Sequence, residues 1–478
     1  MPHPDFDYLV ISDLHLGGDL VQHARPWTAP ALERPAPIDA ELGSMLEAYA
    51  GEADRRRPWT LVLAGDAFDL VGMSIAPAPD APDWEALEPE EREHGLGSRP
   101  EHAATKVRAI ASRHRPLFER LARLVDAGHR IVVVHGNHDV ELFWSAARRA
   151  LIDALAAPLG NGREHRARVA AAVRFEPWFA RFEDVLWVEH GHLYDATCRQ
   201  PWPLLPVDPH RPRRIRWSLS DLLLRRVVRP IPRLSASGHD ERGMLDFLRL
   251  TWRMGPGRAA SAAARLLGVV VEALRGAMRD ASHRLAAAHE RRMLRLAARH
   301  RIAPGVLRAL GSLWAPPADR SPTSLLRHVL VDRVLLGAGA GVAGAAMATM
   351  LPAAVAAPAI GAVGAVAAAS VLVSGRKFAE ERDVPGRMRR AATRIAGLVR
   401  TPIVAMGHTH RPLADRVGEG VTLFNTGTWA HDPDEPDLEP TRTHLLVRAG
   451  AQRVRAELCA WRPALRAAER LSVVEVAR

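Results

Sequence analysis

Cysteine and tyrosine are scarce in this sequence. Its 478 residues include two cysteines, Cys198 and Cys459, and three tyrosines. Two cysteines so far apart exclude a disulfide framework and suit a reducing compartment. No basic segment precedes an apolar stretch near the first residue, so no secretory signal is predicted and we expect the catalytic part to lie in the cytoplasm.

Acidic residues are scarce in residues 211–310, which contain 22 arginines, no lysine and 7 aspartates or glutamates, giving 22 − 7 = +15. The whole chain carries +11, so the remainder sums to about −4. The basic charge therefore belongs to one internal segment. Because Lys106 and Lys377 are the only lysines, the arginine content reflects a bias of the whole chain and does not by itself predict nucleic-acid recognition.

Five apolar, β-branched runs each end in a polar motif. Short runs of this kind predict buried strands that deliver side chains to one site at their carboxyl ends. The runs cover residues 8–11, 61–63, 131–134, 185–188 and 403–406. The motifs that follow them are Asp13-Leu14-His15, Gly65-Asp66 with Asp69, Gly136-Asn137-His138-Asp139, His190-Gly191-His192 and Gly407-His408-Thr409-His410.

These motifs offer carboxylate, amide and imidazole ligands, which suit a pair of divalent metal ions. Two such ions about 3.5 to 4 Å apart polarise a phosphoryl group and activate water at neutral pH. A mixed oxygen and nitrogen set fits Mn, and also Fe, Zn, Co or Ni. None of the motifs contains cysteine, so a structural zinc knot is not predicted.

At these residues the chain resembles the calcineurin-like metallophosphoesterase superfamily. The resemblance implies a first metal held by Asp13, His15, Asp66 and His410, and a second held by Asp66, Asn137, His190 and His408. Asp66 would bridge the two ions. His138 would act on the phosphoryl group or protonate the leaving oxygen, and Asp139 would orient His138.

Other polar residues near the motifs have two readings each. Asp69 either takes part in the site or only caps the turn after Asp66. His135 and His192 match no ligand position, so each either faces the substrate or supports a ligand. His431 and His444 are expected to be solvated or satisfied in the core.

The pattern of elements predicts an α/β protein, with a layered β-sandwich flanked by helices. Residues 1–198 alternate strand runs with helical patterns at 39–49 and 106–125. Residues 400–478 add further strand runs, so both ends form one discontinuous domain. Within the first part, residues 76–100 are rich in Pro, Asp and Glu and predict a surface loop, either a lid over the site or a plain solvated loop.

Residues 199–399 are predicted to form an Arg-rich helical insert, because the fourth and fifth motifs lie 408 − 190 = 218 residues apart. Its part 201–233 mixes Pro, Trp and Arg with short apolar runs. In 260–302, Leu266, Val270 and Leu274 share one helical stripe. Such a helix can lie at a membrane interface, bind phosphate or pack as an ordinary solvated helix.

Residues 334–375 contain no charged side chain and predict a helical hairpin. Its arms, 335–351 and 359–374, are at or below the roughly 20 residues that cross a bilayer. His190 and His408 lie on either side of the hairpin, so the chain crosses an even number of times or not at all. Basic residues on both flanks favour cytoplasmic ends, and we expect membrane association; a buried hairpin or an oligomerisation element is the alternative.

The last motif and the strands after it are similar to those of UDP-2,3-diacylglucosamine pyrophosphatases, which hold acyl chains in a helical insert. The chain departs from them at His138, where those enzymes typically carry Arg, and in its larger insert. The resemblance implies a phosphohydrolase that uses metal hydroxide on a phosphoester or pyrophosphate, with an amphiphilic, lipid-linked substrate. The rivals are a nuclease or nucleotide phosphodiesterase and a non-catalytic membrane or partner scaffold.

Overall fold

The computed structural model describes residues 6–21, 36–51, 57–77, 83–160, 162–230, 255–279, 283–328, 383–430, 441–450 and 452–477, with isolated positions between 348 and 364. The predicted hairpin at 334–375 lies outside the described residues apart from those isolated positions, and His431 also lies outside them. No helix in the described part of the chain is long and apolar enough to cross a membrane.

The first sheet has seven strands, built around a parallel group whose apolar, β-branched residues are buried on both faces. Four parallel strands lie side by side: β1 (Asp7–Ile11), β2 (Trp59–Ala64), β3 (Arg130–Val134) and β4 (Val173–Glu176). Beyond β1, antiparallel strands β10 (Thr443–Ala449), β11 (Arg453–Arg462) and β12 (Ala467–Ala477) extend the sheet. Both ends of the chain therefore share one sheet.

The second sheet has five strands in the order β5-β6-β7-β9-β8. Its centre is parallel: β6 (Leu186–Glu189), β7 (Ile403–Met406) and β9 (Val421–Asn425). Its antiparallel edges are β5 (Phe179–Phe182) and β8 (Leu413–Gly418). The strand before the insert thus pairs directly with the strand after it.

The two sheets pack face to face. Alternate residues of the first sheet, including Val10, Val62 and Val132, share one buried cluster with Val188 and Phe424 of the second sheet. The intervening residues of the first sheet point the other way, into a cluster shared with helices. This alternation follows from the two-residue period of a strand. The predicted α/β class is confirmed.

Helices cover the outer face of the first sheet. They are α1 (Pro37–Ala50), α2 (Pro89–His94), α3 (Pro100–Arg113), α4 (Arg115–Asp126), α5 (Ser145–Ala156) and α6 (Arg163–Ala172). The single helical pattern predicted at 106–125 is wrong, since α3 ends and α4 begins around His114. Pro116 lies in the first turn of α4, where a missing N–H costs nothing, whereas inside one long helix it would break a hydrogen bond.

The described insert residues form α7 (Leu219–Leu223), α8 (Pro256–Arg279), α9 (His283–Arg299), α10 (Pro304–Gly311), α11 (Pro322–His328) and α12 (Val384–Val399). Helix α7 continues into a π-helical turn, Leu224–Val228. The stretch predicted as one helix at 260–302 contains two helices, α8 and α9. Side chains of α9, α10 and α12 share a cluster with the outer face of the second sheet, so insert helices form its covering layer.

The segment predicted as a loop at 76–100 is held against the body of the protein in its described part. It contains α2, whose Glu91 is fully buried. The guanidinium of Arg225 donates to the carbonyls of His94, Gly95 and Leu96. Because a buried guanidinium fixes these carbonyls, the second half of the segment is a packed element rather than a solvated loop.

Candidate metal centre

The predicted motifs converge at one edge of the sandwich. β1, β2 and β3 of one sheet and β6, β7 and β9 of the other end there. The donor atoms of Asp13, His15 and His410 lie within 4.8 Å of one another. His410 Nε2 is 3.2 Å from Asp13 Oδ1 and 3.4 Å from His15 Nε2. Residues almost 400 positions apart in sequence, 410 − 13 = 397, thus form one cluster.

A second group of donors adjoins the first through the two aspartates. Asp13, Asp66 and His190 also place their donor atoms within 4.8 Å of one another. His190 Nε2 lies 3.1 Å from Asp66 Oδ2, and its Nδ1 bonds to the carbonyl of Ala64 at 3.0 Å. The carbonyl contact makes Nδ1 the protonated nitrogen, so Nε2 is the one that can bind a metal.

Five of the donor residues have left-handed backbone conformations. Their φ angles are 54° at Asp13, 46° at His15, 51° at Asp66, 69° at His408 and 58° at His410. This region is unfavourable for residues with a Cβ atom, so such residues are uncommon there and cluster where surrounding structure enforces them. The backbone thus bends sharply after each strand and turns these side chains toward a common centre.

Two glycines allow the loops to approach so closely. A Cβ atom on Gly136 would collide with the carboxylate and backbone of Asp66, and one on Gly65 would collide with the ring of His190. Gly65 also has a φ of 89°, which favours glycine. The glycines of the motifs are therefore required by the packing of neighbouring ligand loops.

Several donor atoms are buried without a protein partner among the described residues. Both side-chain polar atoms of Asn137 lack a hydrogen bond, although the residue is only 1% exposed. Asp13 Oδ1, His190 Nε2 and His408 Nδ1 also lack one. An unsatisfied buried polar group costs roughly 1 to 3 kcal/mol, so this concentration of them indicates a site for a ligand. These buried clusters can bind metal ions.

The His138 ring is oriented by Asp69, not by Asp139. His138 Nδ1 lies 2.8 Å from Asp69 Oδ1, while the other oxygen of Asp69 pairs with Arg229. The carboxylate of Asp139 instead accepts from the backbone N–H groups of Gly136 and Ala67. The predicted role of Asp139 is corrected accordingly: it ties two ligand loops together. Asp69 also accepts from Gly72 N–H, so the capping reading of Asp69 is also true.

The site concentrates negative charge and imidazoles. Burial opposes ionisation of Asp66, but the imidazoles of His190 and His138 outweigh it and hold its pKa well below the usual range. Burial also opposes protonation of His190, yet the carboxylates of Asp66 and Asp13 raise its pKa to about 9. Burial, together with the charge of Asp66, raises the pKa of Asp139 to about 7. The two central carboxylates therefore attract positive charge strongly.

Some supporting residues were not singled out from the sequence. Asp195 Oδ2 lies 3.4 Å from His408 Nε2, and the donor atoms of Asp195, Cys198 and His408 lie within 4.8 Å of one another. After β9, the N–H of Trp429 and the hydroxyl of Thr428 donate to the carbonyl of Asp13. A carboxylate beside a metal-binding imidazole is the expected signal for a residue such as Asp195.

The remaining histidines fall into different places. His135 and His192 are both 7% exposed beside the ligand loops, and each has one ring nitrogen without a partner in the described part of the chain. Burial and the charges of His190 and His408 hold the pKa of His192 well below its usual value. His444 is fully buried elsewhere, bonded to the hydroxyl of Tyr49, as expected for a core histidine.

A cavity of about 360 Å³ opens beside His15 and Asp69. One side is apolar and the other carries the ion pair between Glu41 and Arg442, whose closest atoms are 2.6 Å apart. The apolar lining comprises Leu14, Leu16, Ala36, Pro37, Ile38, Trp429 and Ala430. The cavity can therefore accept a group with both polar and apolar surface directly beside the donor clusters.

No protein-family model and no curated protein matches this chain. The residues themselves supply the test of whether a metal pair fits. Carboxylate, amide and imidazole donors converge from five loops, and four of these residues keep buried donor atoms without protein partners in the described residues: Asp13, Asn137, His190 and His408. This donor chemistry fits divalent transition metals.

Proposed function

We propose that the protein is a dinuclear metal-dependent phosphohydrolase of the calcineurin-like metallophosphoesterase type. The observation that supports it is the convergence of seven donors on one point from five strand ends, with left-handed turns and unpartnered buried atoms. Such an arrangement destabilises the fold unless a ligand compensates. The donors are Asp13, His15, Asp66, Asn137, His190, His408 and His410.

The proposed ligand sets share one carboxylate. Asp13, His15, Asp66 and His410 would hold one ion, and Asp66, Asn137, His190 and His408 the other; the grouping of Asp66 with both donor clusters supports it as the shared residue. Bound divalent ions would supply Lewis acidity toward a phosphoryl oxygen and lower the pKa of water. We expect Mn, with Fe, Zn, Co or Ni as alternatives.

His138 is proposed to hold or transfer a proton at Nε2. Burial raises the pKa of Asp69, but the charges of Arg229 and His138 outweigh it and keep that pKa far below the ordinary value, so Asp69 is an anion at neutral pH. An ionised Asp69 accepts a hydrogen bond from Nδ1–H of His138. The proton available to a leaving oxygen is then the one on Nε2. Asp139, in this proposal, acts only through the loops that it joins.

The substrate is proposed to be a phosphoester or a pyrophosphate. The cavity beside His15 and Asp69 would take part of the substrate that is not cleaved, since it combines an apolar wall with a salt bridge. The uncharged sequence at 334–375 supports an amphiphilic, lipid-linked substrate and association with the cytoplasmic face of a membrane.

Activity against an aryl phosphate monoester, a diester and a pyrophosphate, measured with added Mn, tests the proposal. We expect hydrolysis of at least one of them. Asp66→Asn, which removes the bridging charge with little change of shape, should abolish nearly all turnover. Glu41→Gln, a change of the same kind in the cavity wall, should keep its metal content. Wild-type turnover by Asp66→Asn at limiting metal would refute the shared-ligand assignment.

The membrane part of the proposal is tested separately. Replacing residues 334–375 with a short flexible linker should release the protein from liposomes while hydrolysis of a small soluble ester persists. Turnover of an amphiphilic substrate should fall much further. If the full-length protein fails to float with liposomes, the membrane and lipid-substrate proposal is wrong, whereas the phosphohydrolase proposal stands or falls on the soluble ester.

A further inference from the structure

Four arginines form a cluster on the second-sheet side of the molecule. Arg292, Arg295 and Arg299 are spaced by three and four positions on α9 and therefore share one helix face. They line a cavity of about 150 Å³ together with Pro177, Leu204 and Leu296. Arg148, on α5, is the fourth member, and we refer to these four residues as the arginine cluster.

Like charges are brought together in this cluster. Burial lowers the pKa of Arg292, and the charges of Arg295 and Arg148 lower it further. The pKa of Arg148 is lowered by burial and by the charges of Arg149 and Arg299. Each guanidinium thus lies close enough to another to oppose its protonation, which is unfavourable unless an anion is present.

Carboxylates do not neutralise most of the cluster. Arg148 donates to the carbonyls of Leu142 and Phe143, and Arg292 stacks over the Phe143 ring at 4.7 Å. Within the described residues, Arg148, Arg292 and Arg295 contact no carboxylate. Arg299 lies 3.6 Å from Glu176, an oxygen that His300 also approaches at 3.2 Å.

Other arginines of the insert behave differently. Arg214 pairs with Glu91 at 2.7 Å, Arg216 with Asp319 at 2.7 Å, and Arg308 with Glu290 at 2.7 Å. Pairing is therefore usual for the insert, and the arginine cluster departs from it. Chain-wide arginine bias explains how many arginines there are, but it does not explain why unpaired ones line a cavity.

The cluster also adjoins the ligand loops. The charge of Arg148 reaches the buried imidazole of His135, which follows β3 and precedes Asn137 by two positions. Guanidinium groups bind phosphate oxygens through paired, charge-assisted hydrogen bonds. We propose that the arginine cluster is a binding site for a phosphate group, separate from the metal centre and next to it.

Two sources can provide that phosphate. It is either a second phosphate of the substrate, a reading that rests on the proposed function, or a free phosphate anion. The first predicts preference for substrates with two phosphates. The second predicts binding of a free anion without any such preference.

Binding is measured by calorimetry, with inorganic pyrophosphate as the probe and full-length protein in chelator, which removes metal-dependent binding. We expect the double variant Arg292→Gln with Arg295→Gln to weaken binding at least about 30-fold. Arg291→Gln is the matched control, since Arg291 is an exposed arginine of the same helix that does not line the cavity. Arg295→Gln alone, at an exposed position, should weaken binding about 5-fold or more and guards against misfolding of the double variant.

Kinetics with an aryl phosphate, with and without a second phosphate, separate the two sources. A KM raised only for the bisphosphate in the double variant assigns the site to substrate, whereas equal KM values alongside lost pyrophosphate binding assign it to a free anion. Absence of pyrophosphate binding, or equal binding by the double variant and Arg291→Gln, overturns the proposal. Because calorimetry needs no turnover, this result does not depend on whether any ester is hydrolysed.

Discussion

The ligand loops and the anchor segment treat buried polar groups in opposite ways. The ligand loops are residues 12–15, 65–69, 135–139, 190–192 and 407–410, and the anchor segment is residues 204–229 of the insert. In the loops, both polar atoms of Asn137 have no partner among the described residues. In the anchor segment, the two terminal nitrogens of Arg225 donate to five backbone carbonyls.

This difference separates residues that stabilise the fold from residues that await a ligand. Ser218 and Asp221 cap α7 through reciprocal hydrogen bonds, as expected at a helix start selected for stability. The ligand loops retain left-handed residues and unpartnered donors, both of which cost stability. Substitutions in the two regions should therefore affect different measured quantities.

The largest expected effect is on turnover, at His138. His138→Ala should lower kcat by roughly 10² to 10⁴, the range for a general acid or base. Metal content by elemental analysis should stay near that of the wild type, because Asp69 rather than a metal is assigned to its ring.

His444→Ala provides the control, since it removes a buried, hydrogen-bonded histidine outside the site and should lower stability but not kcat. Loss of one metal ion per chain in His138→Ala would make His138 a ligand and contradict its proposed role. That outcome is a real alternative, because its donor atoms lie within 4.8 Å of those of His15 and Asp66.

The next effect separates Arg225 from Arg229, two buried arginines four positions apart. Arg225→Met should lower the free energy of unfolding by about 3 kcal/mol or more, because several carbonyls lose their donor. Arg229→Met should also destabilise, since Asp69 loses its ion-pair partner. Only Arg229→Met should lower kcat per folded molecule, by about 10- to 100-fold, as for loss of a group that orients another.

Chemical denaturation and active-site concentration separate stability from turnover in this pair. The loss in Arg229→Met should be greater for an alkyl than for a nitrophenyl ester, because a poor leaving group needs the proton from His138 more. Arg229→Lys should restore part of it. Equal kcat values in Arg225→Met and Arg229→Met would show that Arg229 is only structural.

The smallest expected effect is a gain in stability. Asn137→Leu removes two unpartnered polar atoms, so the metal-free protein should keep or gain up to about 1 kcal/mol of unfolding free energy while its metal affinity falls. Asn425→Leu is the matched comparison. Asn425 donates to Gly407 and Thr409 and accepts from Gly427, and its loss should destabilise. Destabilisation by Asn137→Leu in chelator would mean that Asn137 has a structural partner.

The α/β architecture and the meeting of the motifs could be predicted because both depend on local signals. Each apolar run ends in a polar turn, and parallel strands bring their carboxyl ends together. The break between α3 and α4 was also readable, since Pro116 cannot lie inside a helix without losing a hydrogen bond. These features require no knowledge of distant contacts.

The partner of His138 could not be predicted in this way. Asp139 is its neighbour in sequence, but the direction of the ring decides the hydrogen bond, and the ring meets Asp69 from another strand end. Arg229 lies 229 − 69 = 160 residues from Asp69, in a segment whose arginines give no individual signal. Composition described the insert correctly as basic, but which arginines are paired depends on tertiary packing.

The pairing of β1 with β10 has a consequence for synthesis of the chain. Tyr8 lies opposite Val447, so the first strand made waits for 447 − 8 = 439 further residues before its neighbour exists. At about 5 to 20 residues per second, this takes roughly 20 to 90 s. During that interval the edge of β1 and the donors of Asp13 and Asp66 lack their C-terminal partners. The newborn chain therefore depends on chaperones or on rapid completion for longer than its size alone would suggest.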